Sequence, residues 1–181
     1  MTREDQQVEV VREPDVIEAE EPIKQQARRV ALRSADGFLA FGLGSGLLTR
    51  APGTMGTLVA VPIWIAVSLL GISHFWFLLA TFLAGVWLCG RVARALGLED
   101  YGGIVWDEMV GYWFVMSFLP LGWAWMVAAF VLFRSFDILK PWPISLLERE
   151  FSGGFGIMID DIGAAIYAVI VLKFIHHMLQ G

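Results

Sequence analysis

Arg134-Ser-Phe-Asp137-Ile-Leu-Lys140-Pro141-Trp142-Pro143 sets three charges directly after Val127 to Phe133, a run apolar enough for a core or a membrane. At about 100° of rotation per helical residue, positions 134, 137 and 140 fall within roughly a 120° face. Arg134, Asp137 and Lys140 therefore point into one space. Pro141 and Pro143 end the helix, because proline removes a backbone donor and disfavours helical geometry in the residue before it. Alone, the stretch is either an ion pair on a solvated helix end or one wall of a site, and the other carboxylates bear on which.

Upstream, Ile104-Val-Trp106-Asp107-Glu108 opens a second apolar helix. Met109 to Leu119 and Trp123 to Phe133 are 11 residues each, separated by Pro120-Leu-Gly122. Read as one span, they place Asp107 and Glu108 across a bilayer from Arg134. A hairpin turning at Pro120 brings the charges together, and it is favoured because isolated carboxylates at an apolar boundary cost several kcal/mol unless cations or a metal compensate them. Downstream, Ile144 to Phe151 reads as a short amphipathic segment and Ser152 to Gly156 as a loop. Asp160 and Asp161 then open an apolar helix that runs to Leu172. Acids at a helix start are favoured by its dipole, so capping is one reading of this pair.

Towards the N-terminus, Leu58 to Leu70 and Phe75 to Gly90 form another apolar hairpin. The first arm reaches only about 20 Å, short of the roughly 30 Å hydrocarbon core. Arg91 and Arg94 follow, and Gly97 closes the helix. Before the hairpin lies a glycine-rich stretch, Gly42-Leu-Gly44-Ser45-Gly46 and Pro52-Gly53-Thr54-Met-Gly56-Thr57. Thr57 reads as the N-cap of a helix starting at Leu58. The stretch is either an anion site, with Ser45, Thr54 and Thr57 as donors, or simply a loop and a cap. It is not a P-loop, for it lacks G-K-[ST].

Composition frames these pieces. The 181 residues are 57% hydrophobic, and mean hydropathy is +0.64, well above a soluble domain at roughly 45–50% apolar. Membrane contact is the expectation. Residues 1–36 carry 15 of the 31 charges, so residues 1–35 read as a disordered polar tail and 36–181 as one helical domain. Arg28, Arg29 and Arg33 suit the cytoplasmic side of a membrane. A net charge of −5 without a basic stripe argues against nucleic acid. The single cysteine, Cys89, excludes an internal disulfide and a cysteine-based zinc cluster, and reads as a buried apolar residue.

Asp107, Glu108, Asp137, Asp160 and Asp161 are five of the nine acids after residue 36, all at the ends of apolar helices. Carboxylates without histidine or cysteine partners suit a hard ion such as Mg²⁺. Such a site flanked by Arg134 and Lys140 is equipment for phosphoryl chemistry. The rival is a helical membrane protein whose charges merely pair, including a small ion-conducting or transporter-like protein. That rival places charges near helix middles, not at helix ends beside glycine loops.

Five ordered blocks now carry a resemblance. Gly42-x-Gly-Ser-Gly-Leu, Pro-Gly-Thr-Met-Gly-Thr at 52–57, Val-Trp-Asp-Glu at 105–108, Arg-x-x-Asp-x-x-Lys-Pro-x-Pro at 134–143 and Gly-Gly-x-Gly-Ile-Met-x-Asp-Asp at 153–161 closely resemble bacterial phosphatidylglycerophosphatase A. The resemblance covers Phe38 to Ile175, without the acidic tail. It implies an all-α fold, here a compact, membrane-associated bundle of short apolar helices and hairpins. It also implies attachment to the bacterial inner membrane with the site facing the cytoplasm. The implied reaction is Mg²⁺-dependent hydrolysis of phosphatidylglycerophosphate to phosphatidylglycerol and inorganic phosphate. By matching positions, Asp107, Glu108, Asp137, Asp160 and Asp161 carry over as metal and catalytic acids, Arg134 and Lys140 as phosphate binders. Ala95, six after Cys89, excludes a Cys-x5-Arg phosphatase, and no D-x-D-x-T occurs. Water is then the expected nucleophile with Asp137 or Asp161 as base, although an aspartyl-phosphate intermediate and a different lipid phosphoryl-transfer reaction stay open.

Overall fold

A computed structural model describes residues 13–48, 50–142, 144 and 150–180. The described residues form seven α-helices and one short 3-10 turn, with no strand among them. They are α1 (Glu13–Arg33), α2 (Ala35–Ala40), the turn Ser45–Leu47, α3 (Pro52–Leu69), α4 (His74–Leu96), α5 (Trp106–Met116), α6 (Trp123–Leu139) and α7 (Gly153–Gln180). The expected all-α bundle is the fold.

Helix α5 is the axis of the bundle. Met109, Val110, Tyr112, Trp113, Val115 and Met116 are all buried, as expected of a helix apolar on every side. Its long polar aromatics reach three neighbours. Trp106 Nε1 donates to the Thr81 carbonyl of α4 at 3.0 Å, Trp113 Nε1 to Ala60 of α3 at 2.9 Å, and Tyr112 Oη to Met126 of α6 at 3.3 Å. Each bond satisfies a donor that burial would otherwise leave costly. The α5–α6 pair is the hairpin expected from Pro120, and it returns Arg134 to Glu108.

Helices α4 and α7 cross where a Cβ on Gly154 would stand 2.7 Å from the Gly90 amide nitrogen and 2.9 Å from its Cα. Only glycine permits that approach. Gly97 ends α4 in the left-handed conformation, and the Leu98 amide reaches back to Ala93 O at 3.1 Å, a Schellman closure. Helices α3, α4 and α7 are each long and apolar enough to cross a membrane.

Three local expectations are corrected. Helix α3 begins at Pro52, not Leu58, because proline is preorganised for the first helical position. Its 18 residues span about 27 Å rather than 20 Å, and Thr57 is an interior residue whose hydroxyl donates to Gly53 O at 2.9 Å, not an N-cap. Helix α7 begins at Gly153, so Asp160 and Asp161 lie two turns inside it and cap nothing. The later part of the polar N-terminal segment is not a free tail: in the C-terminal half of α1, Ala27 and Ala31 are fully buried, and Gln26 donates to Ala95 O at 2.9 Å. Two small residues one helical turn apart give a mainly polar helix a seat without a large apolar face. The first twelve residues of that expected tail, Pro143, and most of the 144–151 segment lie outside the described residues.

Candidate active site

The site sits where the start of α3, the start of α5, the end of α6 and the third turn of α7 meet. Asp107, Glu108 and Asp161 each offer a carboxylate oxygen, and these oxygens all lie within 4.8 Å of one another. Asp107 and Asp161 are buried and Glu108 nearly so. Asp107 Oδ1, Glu108 Oε2 and Asp161 Oδ2 are each buried without a hydrogen-bond partner. Folded proteins seldom leave such atoms orphaned, since each costs a desolvation penalty.

The electrostatics follow from this crowding. Burial, then the neighbouring Glu108 carboxylate, pushes Asp107 well above the ordinary carboxylate range. Burial, then Asp161, pushes Glu108 up to about 8. The Asp107 and Glu108 carboxylates repel each other in this buried setting. Three buried, unpartnered carboxylate oxygens this close together are a fitting donor set for a hard divalent cation.

Arg134 borders this trio. Its Nη1 lies 2.5 Å from Asp137 Oδ2 and 3.6 Å from Glu108 Oε1, and its Nε is buried without a partner. The same Nη1 thus joins Asp137 to Glu108 at the edge of the trio. Four of the five expected acids therefore gather here with Arg134. Asp160, one residue from Asp161 and so turned about 100° around the helix, faces another way. Lys140 Nζ lies 3.1 Å from Asp160 Oδ2. Lys140 leaves the expected Arg134 face because it is the residue at which α6 ends, in a left-handed conformation with φ 40°. Asp160 also lines a crevice of about 130 Å³ with Glu99, Asp100 and Ser152.

The glycine-rich stretch contributes through Gly53, a residue that sequence reasoning did not place in the site. A Cβ at Gly53 would run into the Glu108 carboxylate and stand 2.8 Å from both terminal nitrogens of Arg134. The first turn of α3 thus rests on the acids, with Thr54 half-buried beside Gly53 and first-turn amides that have no helical acceptor. Thr57 is buried and bonded to its own helix. Ser45 is buried in the 3-10 turn with its hydroxyl unpartnered, packed against Gly42. The signal for Gly53 was the Pro-Gly pair itself, which starts a helix while keeping its first turn bare.

Residues 38–176 match the family model of phosphatidylglycerophosphatase A. A phosphatidylglycerophosphatase A of Haemophilus influenzae is 46% identical over 155 residues, covering 84% of this chain and 95% of the relative. That of Escherichia coli is 44% identical over 142 residues, covering 77% and 83%. A protein of Bacteroides thetaiotaomicron, provisionally named a phosphatidylinositol-3-phosphatase, is 41% identical over 145 residues, covering 75% and 89%. No solved structure matches the chain significantly. The match spans every block that builds the acid cluster, from the glycine-rich stretch to Asp161, and the chain belongs to the phosphatidylglycerophosphatase A family.

Proposed function

We propose that this chain hydrolyses the terminal phosphomonoester of phosphatidylglycerophosphate, giving phosphatidylglycerol and inorganic phosphate, with Mg²⁺ held by Asp107, Glu108 and Asp161. The observation that carries the reading is the set of three buried, unpartnered carboxylate oxygens beside the open Nε of Arg134. The substrate is the one that the relatives' names specify. When bound, Mg²⁺ supplies neutralising charge and Lewis acidity at the phosphoryl group.

The chain's own residues do the rest. Arg134 offers Nε to a phosphate oxygen while Nη1 holds Asp137 in place. Asp137 takes a proton from the attacking water as its oxygen bonds to phosphorus. The ester P–O bond breaks, and that proton passes to the departing alcohol oxygen. The first turn of α3, with Thr54 and bare amides, receives a second phosphate oxygen. Ser45 and Thr57 support that turn from behind. Lys140, beside Asp160, takes the remaining negative charge of the headgroup.

Contacts of Gln26 with Ala95 and of Asp36 with Arg91 dock the N-terminal helices on the end of α4, which gathers Arg28, Arg29, Arg33, Arg91 and Arg94 towards the Gly102 end. That asymmetry supports a site facing the cytoplasm from a bacterial inner membrane. The test is phosphate release by purified protein from phosphatidylglycerophosphate, with and without Mg²⁺, and without any acceptor alcohol. Mg²⁺-dependent release at least tenfold faster than from phosphatidic acid or phosphatidylinositol 3-phosphate is expected. Faster release from either of those lipids, or transfer only to an added alcohol, overturns the assignment.

A further inference from the structure

We infer that the apolar groove between α4, α5 and α7 takes one acyl chain of the lipid whose phosphate sits at the acid cluster, an inference that rests on the lipid-phosphatase reading above. The groove encloses about 460 Å³, within the range of ligand pockets. Its near end is built by residues that adjoin the site along two helices. Ile159 and Ile162 flank Asp160 and Asp161 on α7, and Val110 lies one turn beyond Asp107 on α5. From Val110 it follows α5 to Phe118, roughly 12 Å at 1.5 Å per residue, away from the charges.

Its lining is mainly hydrocarbon. Leu78, Leu79, Phe82 and Phe114 form most of the remaining wall, and Ser117 and His74 are the two polar side chains, both at the end away from the acids. Ser117 Oγ donates to Phe114 O at 2.7 Å, and the His74 ring lies against Trp64 at a centroid distance of 4.5 Å. The end of the groove nearest the acids, at Val110, Phe82, Ile159 and Ile162, is wholly apolar. A chain seated there instead fixes the depth and direction from which the headgroup meets Asp107 and Asp161. Because lipid tails are already in an apolar medium, the groove contributes position and not affinity.

The experiment uses wild-type protein in phosphatidylcholine vesicles with Mg²⁺ and excess phosphatidylglycerophosphate bearing a mid-chain diazirine. Samples are illuminated early in turnover, adducts are mapped by mass spectrometry, and phosphate release is followed in parallel. Phosphatidylcholine with the same diazirine chain is the control. At least threefold more adducts on Leu78, Leu79, Phe114 and Phe118 from the labelled substrate than from labelled phosphatidylcholine is expected. Leu69 and Trp76, both exposed on the outer surface of α3 and α4, should show a ratio near one. Leu79→Trp, which fills the groove from its open side, should remove the excess. Equal labelling alongside normal phosphate release means the groove holds bulk lipid, which overturns this inference and leaves the activity standing. Absence of phosphate release removes the lipid-phosphatase reading and this inference with it.

Discussion

At the residue scale, Asp107, Glu108 and Asp161 carry a cost that folding does not require, and substitution separates that cost from its use. Asp107→Asn removes a buried charge that only a cation would neutralise. Turnover should fall at least about 100-fold, the order expected when a direct ligand is lost. Relief of the buried charge should raise the metal-free melting temperature, by about 2–4 °C for each kcal/mol regained in a chain of this size. The upward shift that Mg²⁺ gives the wild type should vanish. Asp137→Asn should lose comparable turnover while keeping the Mg²⁺ shift, because Asp137 is placed as base and not ligand. Thermal melts of both variants with and without Mg²⁺ decide it: a preserved shift in Asp107→Asn excludes that carboxylate from the metal. Acidity provides an independent check. Glu108 is raised from 4.5 to about 8 in the folded chain, so between those values the folded state binds the proton and the unfolded state does not. The contribution of Glu108 to stability is therefore full below about pH 4.5 and lost as pH rises through about 8. In chelator, the melting temperature should drop across that window. Since the cation replaces the proton, apparent Mg²⁺ affinity should climb over the same range, and titrations at about pH 6 and pH 8 measure it.

At the element scale, the start of α3 is where local geometry and chemistry are joined. Gly53→Ala adds a methyl group against Glu108 and Arg134, yet alanine is the better helix former by about 1 kcal/mol. Turnover should fall about tenfold or more while the melting temperature holds or rises. A parallel loss of both would mean that Gly53 serves folding and not the site. This element also shows where sequence could be read and where it could not. The α5–α6 hairpin was legible, because Pro120 breaks the run and the cost of separated charges dictates which ends must meet. The acid cluster was legible for the same reason. The start of α3 was not: Pro52-Gly53 has the composition of a loop, and only the backbone shows that Pro52 is the first helical residue. Helix α7 hid its start behind Gly153 and Gly154, which made Asp160 and Asp161 look like caps rather than interior acids. The Arg134–Lys140 face failed at its last member, since one residue of left-handed backbone sent Lys140 towards Asp160. Helix α1 gave no apolar stripe because it docks through alanines.

At the scale of the whole molecule, the hairpins dictate a direction that can be measured. Helix α3 leaves the acid cluster, α4 returns towards it, and α7 starts near it and departs. If all three cross a membrane, the loop at Ser73 and the end of α7 at Gln180 share one side, while the turn at Gly102 lies on the other with Asp107. The arginines cluster at the Gly102 end, and the 70–73 loop and the 117–122 turn carry no charge, so basic-residue asymmetry predicts that Gly102 lies on the cytoplasmic side. The lone native cysteine makes the experiment clean. Cys89 is fully buried between helices, so a single added cysteine is the only ready target for a membrane-impermeant maleimide. Ser73→Cys and Gln180→Cys stand at exposed positions, and a Cβ at Gly102 meets no atom within 4 Å. In intact spheroplasts, Ser73→Cys and Gln180→Cys should label and Gly102→Cys should not. In inverted vesicles the pattern should reverse. Labelling of all three from one side only would mean that the bundle lies within one leaflet, which requires the lipid phosphate to reach Asp107 along the membrane surface and not at the end of a transmembrane bundle.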